Sequence, residues 1–226
     1  MPDPHTTYRT WAALILLAAM AAGFAALGNW QLGRAAEREA TKVAIEAGRS
    51  HAALDLTANT PQDDLVAWRP AQVRGTWLHS LTILLENRNY QGRPGYWVAT
   101  PLKLSDGADT AVLILRGWVP RPARPGEVLQ DIPTPSGEYM VSGQLMERAP
   151  RLFELWSFGN NGTQLPERLP DPQRPLPRVQ NVDIADYANA TGLKLLPVVV
   201  AQTLQSYLRP LEQCVALPDF LACVTA

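Results

Sequence analysis

The sequence is poor in the residue types that bind metals and form disulfides. Its 226 residues include three histidines, His5, His51 and His79, and two cysteines, Cys214 and Cys223. These residues are too scattered for a local zinc motif, and two cysteines cannot build the disulfide framework of a small secreted domain. One optional disulfide is the most that the cysteines offer, and the sequence gives no support for a metal site.

Motifs of enzymes and of nucleotide-binding proteins are also missing. No serine lies in a G-x-S-x-G or S-x-x-K pattern, and so no hydrolase nucleophile is indicated. Gly92 and Gly95 are separated by Pro94 and precede a predicted strand, whereas a phosphate-binding loop needs a helix there. We therefore expect a protein that is not an enzyme. A secreted hydrolase whose catalytic residues meet only in the fold is an alternative without a positive feature.

The sequence also has no large excess of positive or of negative charge. The formal net charge is -1, and no polybasic arm or aromatic-basic strip is present. Nucleic acid is therefore not an expected partner, because its binding depends on clustered positive charge.

The longest uncharged run covers residues 11–32, WAALILLAAMAAGFAALGNWQL. A helix of that length rises about 30 Å, which matches the hydrocarbon layer of a bilayer. Trp11 and Trp30 lie near its two ends, where indole rings favour the headgroup region. The run predicts a transmembrane helix after a cytoplasmic tail at 1–10. A cleaved signal peptide is the alternative, since residues 20–26 offer small side chains to a peptidase.

The orientation of this helix rests on two opposed indications. Arg9 precedes the span while Arg34, Arg38 and Lys42 follow it, and a count of basic residues would place the amino terminus outside. A short tail before a large domain instead behaves as an uncleaved signal. We expect the amino terminus inside and the main domain on the outer, periplasmic face of a bacterial plasma membrane. A mitochondrial presequence is not expected, because the first ten residues are few and include Asp3.

The remaining chain reads as a helical extension, a β domain and a tail. Residues 33–64 continue the helix to Gly48 and then form a linker, residues 65–203 form the extramembrane domain, and residues 204–226 form a divergent tail. A short helix at 182–190 begins after Asp183 and ends before Gly192, and a long loop covers 152–177. Strands are predicted at 69–78, 81–87, 96–104, 111–119, 139–146 and 193–203, with turns at 91–95 and 105–107.

The predicted fold class is therefore α+β. An N-terminal transmembrane helix precedes a mostly antiparallel, barrel-like β domain with one or two short helices. Arginines beside aromatic residues are the candidate contacts for a cofactor or partner, because a guanidinium can hold an anionic group while a ring packs an apolar body. Simple packing of arginine on an aromatic ring is the alternative. The candidates are the pairs Trp30 with Arg34, Arg88 with Tyr90 and Arg116 with Trp118, together with Tyr96.

Four segments of the sequence can be compared with known families: GNWQLGR at 28–34, RGTW at 74–77, LLENRNYQGRPGYWVATPL at 84–102 and VLILRGWVP at 112–120. Together they resemble the Surfeit-locus family of cytochrome c oxidase assembly factors. They occur in the order expected of the family, and the resemblance covers residues 14–203.

The resemblance implies an assembly factor for the largest oxidase subunit, associated with delivery or insertion of haem a. It implies membrane lipid, that subunit and the enzymes of haem a synthesis as partners. The family has a second membrane helix with a histidine near its start, whereas residues 204–226 contain Arg209, Pro210, Glu212 and Asp219. No axial haem ligand can therefore be assigned here. A membrane-tethered β module that binds a peptide or an envelope component, unrelated to respiration, is the alternative function.

Overall fold

The structure is a computed structural model that describes residues 4–106, 109–122, 124, 129, 132–152, 165–173 and 176–203. The chain divides into two compact units, Met1–Ala47 and Gly48–Ala226. The predicted tail at 204–226, with Cys214 and Cys223, lies outside the described residues. So does most of the loop predicted at 152–177.

The first unit consists of helix α1, which extends over Pro4–Ser50 and continues past Ala47 into the second. Alanine and leucine favour the helix, and no proline follows Pro4 until Pro61. The segment Tyr8–Ser50 is the one described helix that is long and apolar enough to cross a membrane, with a mean hydropathy of 2.1 in its most apolar window and none of that window buried. The predicted span at 11–32 lies inside it.

The described part of the second unit contains eight strands and one α-helix. Two short 3-10 turns, Gln62–Asp64 and His79–Leu81, interrupt the connections. The elements are β1 (Leu54–Leu56), β2 (Pro70–Trp77), β3 (Ile83–Tyr90), β4 (Arg93–Leu104), β5 (Thr110–Pro120), β6 (Glu138–Met146), β7 (Arg178–Val179), α2 (Ile184–Thr191) and β8 (Lys194–Gln202).

The sheet curls into a barrel-like form because β4 is long enough to pair with two strands along one edge. The strand order is β1-β2-β6-β8-β5-β4-β3-β7, and β2 also pairs with β4. Residues 93–99 of β4 pair with β3, and residues 102–104 pair with the end of β2. Strands β2, β6, β8, β5 and β4 therefore close a ring, from which β1, β3 and β7 extend. The α+β prediction with a barrel-like β domain is confirmed.

Both sides of the central strand β5 are buried, as its nearly continuous apolar sequence requires. Val112 and Ile114 belong to one cluster of buried residues with Leu102 and Leu145. Leu113 and Leu115 face the other way and pack in a second cluster that includes Tyr187 of α2. Helix α2 begins after Asp183, whose side chain accepts a hydrogen bond from the Ala185 amide, and ends at Gly192 in the left-handed conformation.

The structure differs from the predicted strands in several places: β7 was not predicted, and β4 begins at Arg93, inside the turn predicted at 91–95. Strand β1 forms inside the predicted linker and pairs in parallel with β2. Strand β3 continues to Tyr90 because a register shift between Leu85 and Arg88, with Asn87 at φ 57, lets it rejoin β4. Strand β8 pairs in parallel with β5. The sheet is therefore less uniformly antiparallel than the sequence predicted.

Candidate functional site

A buried arginine lies among three aromatic rings where β3, β4 and β5 meet. We call Arg88, Tyr90, Trp97 and Trp118 the Arg88 cluster. The Arg88 guanidinium carbon lies 4.6 Å from the Trp97 ring centroid, and Trp118 Nε1 donates to the Arg88 carbonyl oxygen at 2.8 Å. The Tyr90 and Trp118 centroids are 5.5 Å apart. The register explains the grouping, since Trp97 lies opposite Trp118 and Arg88 lies opposite Gly95.

Gly95 provides the space that the Trp118 ring occupies. A Cβ atom at Gly95 would lie less than 3.0 Å from Cε2 and Cζ2 of Trp118 and from the Val119 carbonyl oxygen. Real Cβ contacts are not that short, so any larger residue at this position must displace the indole or the strand. The glycine is therefore needed for close approach of a ring rather than for an unusual φ angle.

A second arginine lies over a different tryptophan. We call Trp77, His79 and Arg116 the Arg116 cluster. The Arg116 guanidinium carbon is 4.6 Å from the Trp77 ring centroid, and the rings of Trp77 and His79 stack at 6.3 Å. Arg116 Nη2 donates to the Pro133 carbonyl oxygen at 2.7 Å. His79 Nε2 lies 2.9 Å from the Pro135 carbonyl oxygen.

The position of Arg116 follows from an irregularity in β5. Gly117 lies opposite Val98, but Leu115 lies opposite Ala99, so Arg116 is an extra residue without a partner on β4. The predicted pairing of Arg116 with Trp118 is wrong for this reason. Trp118 belongs to the Arg88 cluster, and Arg116 instead stacks on Trp77.

Both guanidinium groups are nearly removed from solvent. Arg88 is 3% exposed and Arg116 is 5% exposed, and burial lowers the pKa of each to about 10. Both therefore remain cationic at neutral pH. No carboxylate among the described residues forms an ion pair with either group. The negative electrostatic surface around them comes from carbonyl oxygens and from the faces of Trp97 and Trp77. Such groups can bind anions, but they do not exchange protons near pH 7.

Residues 18–217 of the 226 match the model of the SURF1 family. The chain belongs to the SURF1 family. This family consists of cytochrome c oxidase assembly factors rather than enzymes. A search of curated proteins found no match.

The segments that carry the resemblance to the SURF1 family meet in the folded domain. Trp77 ends RGTW, and Arg116 lies in VLILRGWVP, and these two side chains stack on each other. Arg88 and Trp97 belong to the long third segment and contact Trp118 of the fourth. The three segments within the β domain are thus parts of one structural arrangement on neighbouring strands.

The other predicted site residues lie elsewhere. Tyr96 is buried on the opposite side of β4 from Trp97, with the Arg178 guanidinium carbon 5.2 Å from its ring centroid. On α1, the Arg34 guanidinium carbon lies 6.0 Å from the exposed Trp30 ring. Within the β domain, the structure therefore unites Arg88, Tyr90 and Trp118 but separates them from Tyr96 and from Arg116.

Sequence reasoning missed the aromatic partners of both arginines. Trp77 and Trp97 were not among the candidate residues, nor was Arg178. Their roles depend on cross-strand register, and a local pattern carries no information about register. The one available signal was the end of the RGTW segment, which marks Trp77 but does not identify Arg116 as its partner.

One cleft in the described part of the domain can be compared with haem a, the cargo that the resemblance implies. Its volume is about 400 Å³, and its charged lining residues are Asp55, Asp106 and Glu138 together with Arg74. Carboxylates repel the propionates of a haem. Among the described residues, no group of three His, Cys, Asp or Glu side chains could hold a metal ion. Any contact with haem a therefore belongs outside this cleft.

Proposed function

We propose that this chain is a membrane-anchored assembly factor that aids insertion of haem a into the largest subunit of cytochrome c oxidase. The match to the SURF1 family over residues 18–217 carries the proposal. The apolar helix α1 supports it, because haem a and the subunit that receives it are both found at the membrane. No catalytic step is assigned to the chain.

The β domain would act as a scaffold for the receiving subunit. A ring of paired strands with two buried Arg–Trp contacts is a rigid support, and rigid elements lose little entropy when they bind a partner. Haem a would be the cargo of this process. The enzymes of haem a synthesis would be partners that deliver the cargo, and the β domain would keep the receiving site open.

Trp30 and Arg34 are the predicted contacts most available to a partner or to lipid phosphate. Trp30 is 57% exposed, and the Arg34 side chain is 54% exposed with one ion-pair distance of 3.9 Å to Glu37. A pair so exposed contributes little to folding. Its removal therefore tests function without disturbing the core.

The test is complementation of a strain from which the gene has been deleted. We expect the deletion to lower haem a per oxidase largest subunit several-fold, with the subunit still present. Haem a is measured by difference spectroscopy of membranes and the subunit by immunoblot. Trp30→Ala should restore the ratio less well than Trp11→Ala, which is the matched control because Trp11 is an exposed tryptophan near the other end of the predicted span.

An unchanged ratio in the deletion strain contradicts the proposal. Pull-down from detergent extracts separates it from the alternative of a tethered β module with no role in respiration. Recovery of the oxidase subunit supports assembly. Recovery of an envelope peptide without oxidase subunits favours the alternative.

The proposed location is the bacterial plasma membrane, with the amino terminus inside and the β domain outside. A cysteine placed at the exposed residue Ser80, in a chain with Cys214 and Cys223 changed to serine, provides the test. An impermeant maleimide should label it in intact spheroplasts. Labelling only after lysis would place the domain in the cytoplasm.

A further inference from the structure

Arg116 has more hydrogen-bonding capacity than its surroundings use. A guanidinium carries five N–H donors, and the described contact of this group is the single hydrogen bond from Nη2 to the Pro133 carbonyl oxygen. Nε and Nη1 are buried and have no hydrogen-bond partner among the described residues. Buried polar atoms are nearly always partnered in folded proteins. A buried cation with one neutral acceptor is therefore incompletely satisfied.

The segment that supplies this acceptor is held loosely. We call residues 132–136 the strap. The strap makes no backbone–backbone hydrogen bond to the described part of the chain, and Pro133 and Pro135 have no N–H to donate. The strap is attached through its carbonyl oxygens at Pro133 and Pro135, which contact the side chains of Arg116 and His79. Ile132 also packs on a small apolar cluster. Gly137, at φ 98, then connects the strap to β6.

Arg88 also has one buried nitrogen without a hydrogen-bond partner, Nε, but it differs from Arg116 in how its acceptor is held. Its Nη2 donates to the carbonyl oxygen of Gln180 at 3.1 Å. Gln180 follows directly after β7, and β7 is paired with β3 through Val179 and Leu85. The acceptor of Arg88 is therefore fixed by the sheet, whereas the acceptor of Arg116 belongs to a segment that only side chains hold.

We propose that the Arg116 cluster is a binding site for a carboxylate group, and that the strap covers it until such a group replaces the Pro133 carbonyl oxygen. A carboxylate matches the planar fork of a guanidinium and supplies the missing negative charge. The Trp77 face would remain beneath the guanidinium. This inference does not depend on the role in oxidase assembly.

The test compares two probes of the same shape on the full chain in detergent micelles. Sodium propionate carries the carboxylate, and propionamide is its neutral counterpart. The signals are the ¹⁵N–¹H resonance of Arg116 Nε and the backbone ¹⁵N–¹H resonances of Ile132, Thr134 and Ser136 in the strap. We expect saturable shifts of both with propionate, at a Kd at least tenfold lower than for propionamide, in solutions of equal ionic strength.

Variants assign the response to one arginine. Arg116→Lys keeps the charge but loses the fork, and its strap amide resonances should need at least tenfold more propionate to shift. Arg178→Lys is the control, because Arg178 also lies over an aromatic ring, that of Tyr96, and it should respond as the wild type does. A response of Arg116→Lys equal to that of the wild type overturns the proposal. Equal effects of propionate and propionamide on the wild type also overturn the proposal, and this comparison does not depend on the folding of any variant.

Two further probes distinguish the sources of the carboxylate. Octanoate presents it on an apolar chain, and the peptide acetyl-Gly-Glu-Gly-amide presents it as a protein side chain. Tighter binding of octanoate indicates an amphiphilic ligand, and tighter binding of the peptide indicates an acidic segment of a partner. If neither probe shifts the Arg116 resonance, the unpartnered donors bind only water and the proposal fails.

Discussion

Replacing Gly95 with alanine should destabilise the β domain strongly, although it adds a single methyl group. The new Cβ would overlap two atoms of the Trp118 ring and one strand carbonyl oxygen. Overpacking of this kind costs about 1–3 kcal/mol. If the indole shifts to relieve it, the hydrogen bond from Trp118 Nε1 to the Arg88 carbonyl oxygen is lost, and a buried unpaired donor costs about 1–3 kcal/mol more. We expect a loss of about 3 kcal/mol in the free energy of unfolding.

Thermal unfolding of the full chain in micelles, followed by near-ultraviolet circular dichroism, measures this effect. For a chain of this size, a loss of about 3 kcal/mol lowers Tm by roughly 6–12 °C. Gly92→Ala is the control, because its Cβ meets no atom within 4 Å and only its φ of 73 disfavours alanine, at a cost of about 1–2 kcal/mol. A Gly95→Ala protein that melts within 2 °C of the wild type, or together with Gly92→Ala, would refute the close packing of Trp118 on this glycine.

Three further changes test contacts away from the Arg–Trp clusters. Tyr187→Phe removes the buried hydrogen bond to the Leu81 carbonyl oxygen and should cost about 1–2 kcal/mol in a denaturant titration. Burial raises the pKa of Tyr187 well above its ordinary value. The stability that the protonated hydroxyl contributes to the wild type is therefore present below about pH 10 and declines at higher pH, whereas the Tyr187→Phe protein should not show this decline. Asp183→Ala removes the cap of α2 and should lower stability by about 1 kcal/mol, with Asp183→Asn nearly neutral in the same assay. The Lys103 ammonium donates to Asp109 at 2.7 Å and lowers the pKa of that carboxyl. Lys103→Met should therefore raise the pKa of Asp109, measured by ¹³C titration of its carboxyl carbon. An unchanged pKa of Asp109 argues against the ion pair.

Local signals were sufficient for those elements whose causes lie within a few residues. The capping pair Asp183 and Gly192 predicted both ends of α2 to within about two residues, because a cap acts on the adjacent turn. The uncharged run at 11–32 likewise predicted its helix, since length and hydropathy need no distant partner. Burial of β5 on both faces was readable in the unbroken apolar run at 111–115.

Elements that depend on distant partners could not be predicted. Strands β1 and β7 have three and two residues, which is too short for a periodic pattern. Each exists because a longer strand offers it a parallel edge. The parallel pairing of β8 with β5 has the same origin, because it is decided by the return of the chain through α2 rather than by the residues of β8.

The candidate site shows how one extra residue changes such a prediction. Arg116 and Trp118 are two residues apart, and in a regular strand their side chains would share one face. The register of β4 and β5 shifts between Val98 and Ala99, which leaves Arg116 as the extra residue of β5 and directs its guanidinium to Trp77. The same irregularity places Arg116 beneath the strap, because Pro133 can then accept its hydrogen bond. A single bulge therefore both separates the two Arg–Trp clusters and creates the under-satisfied cation for which a carboxylate site is proposed.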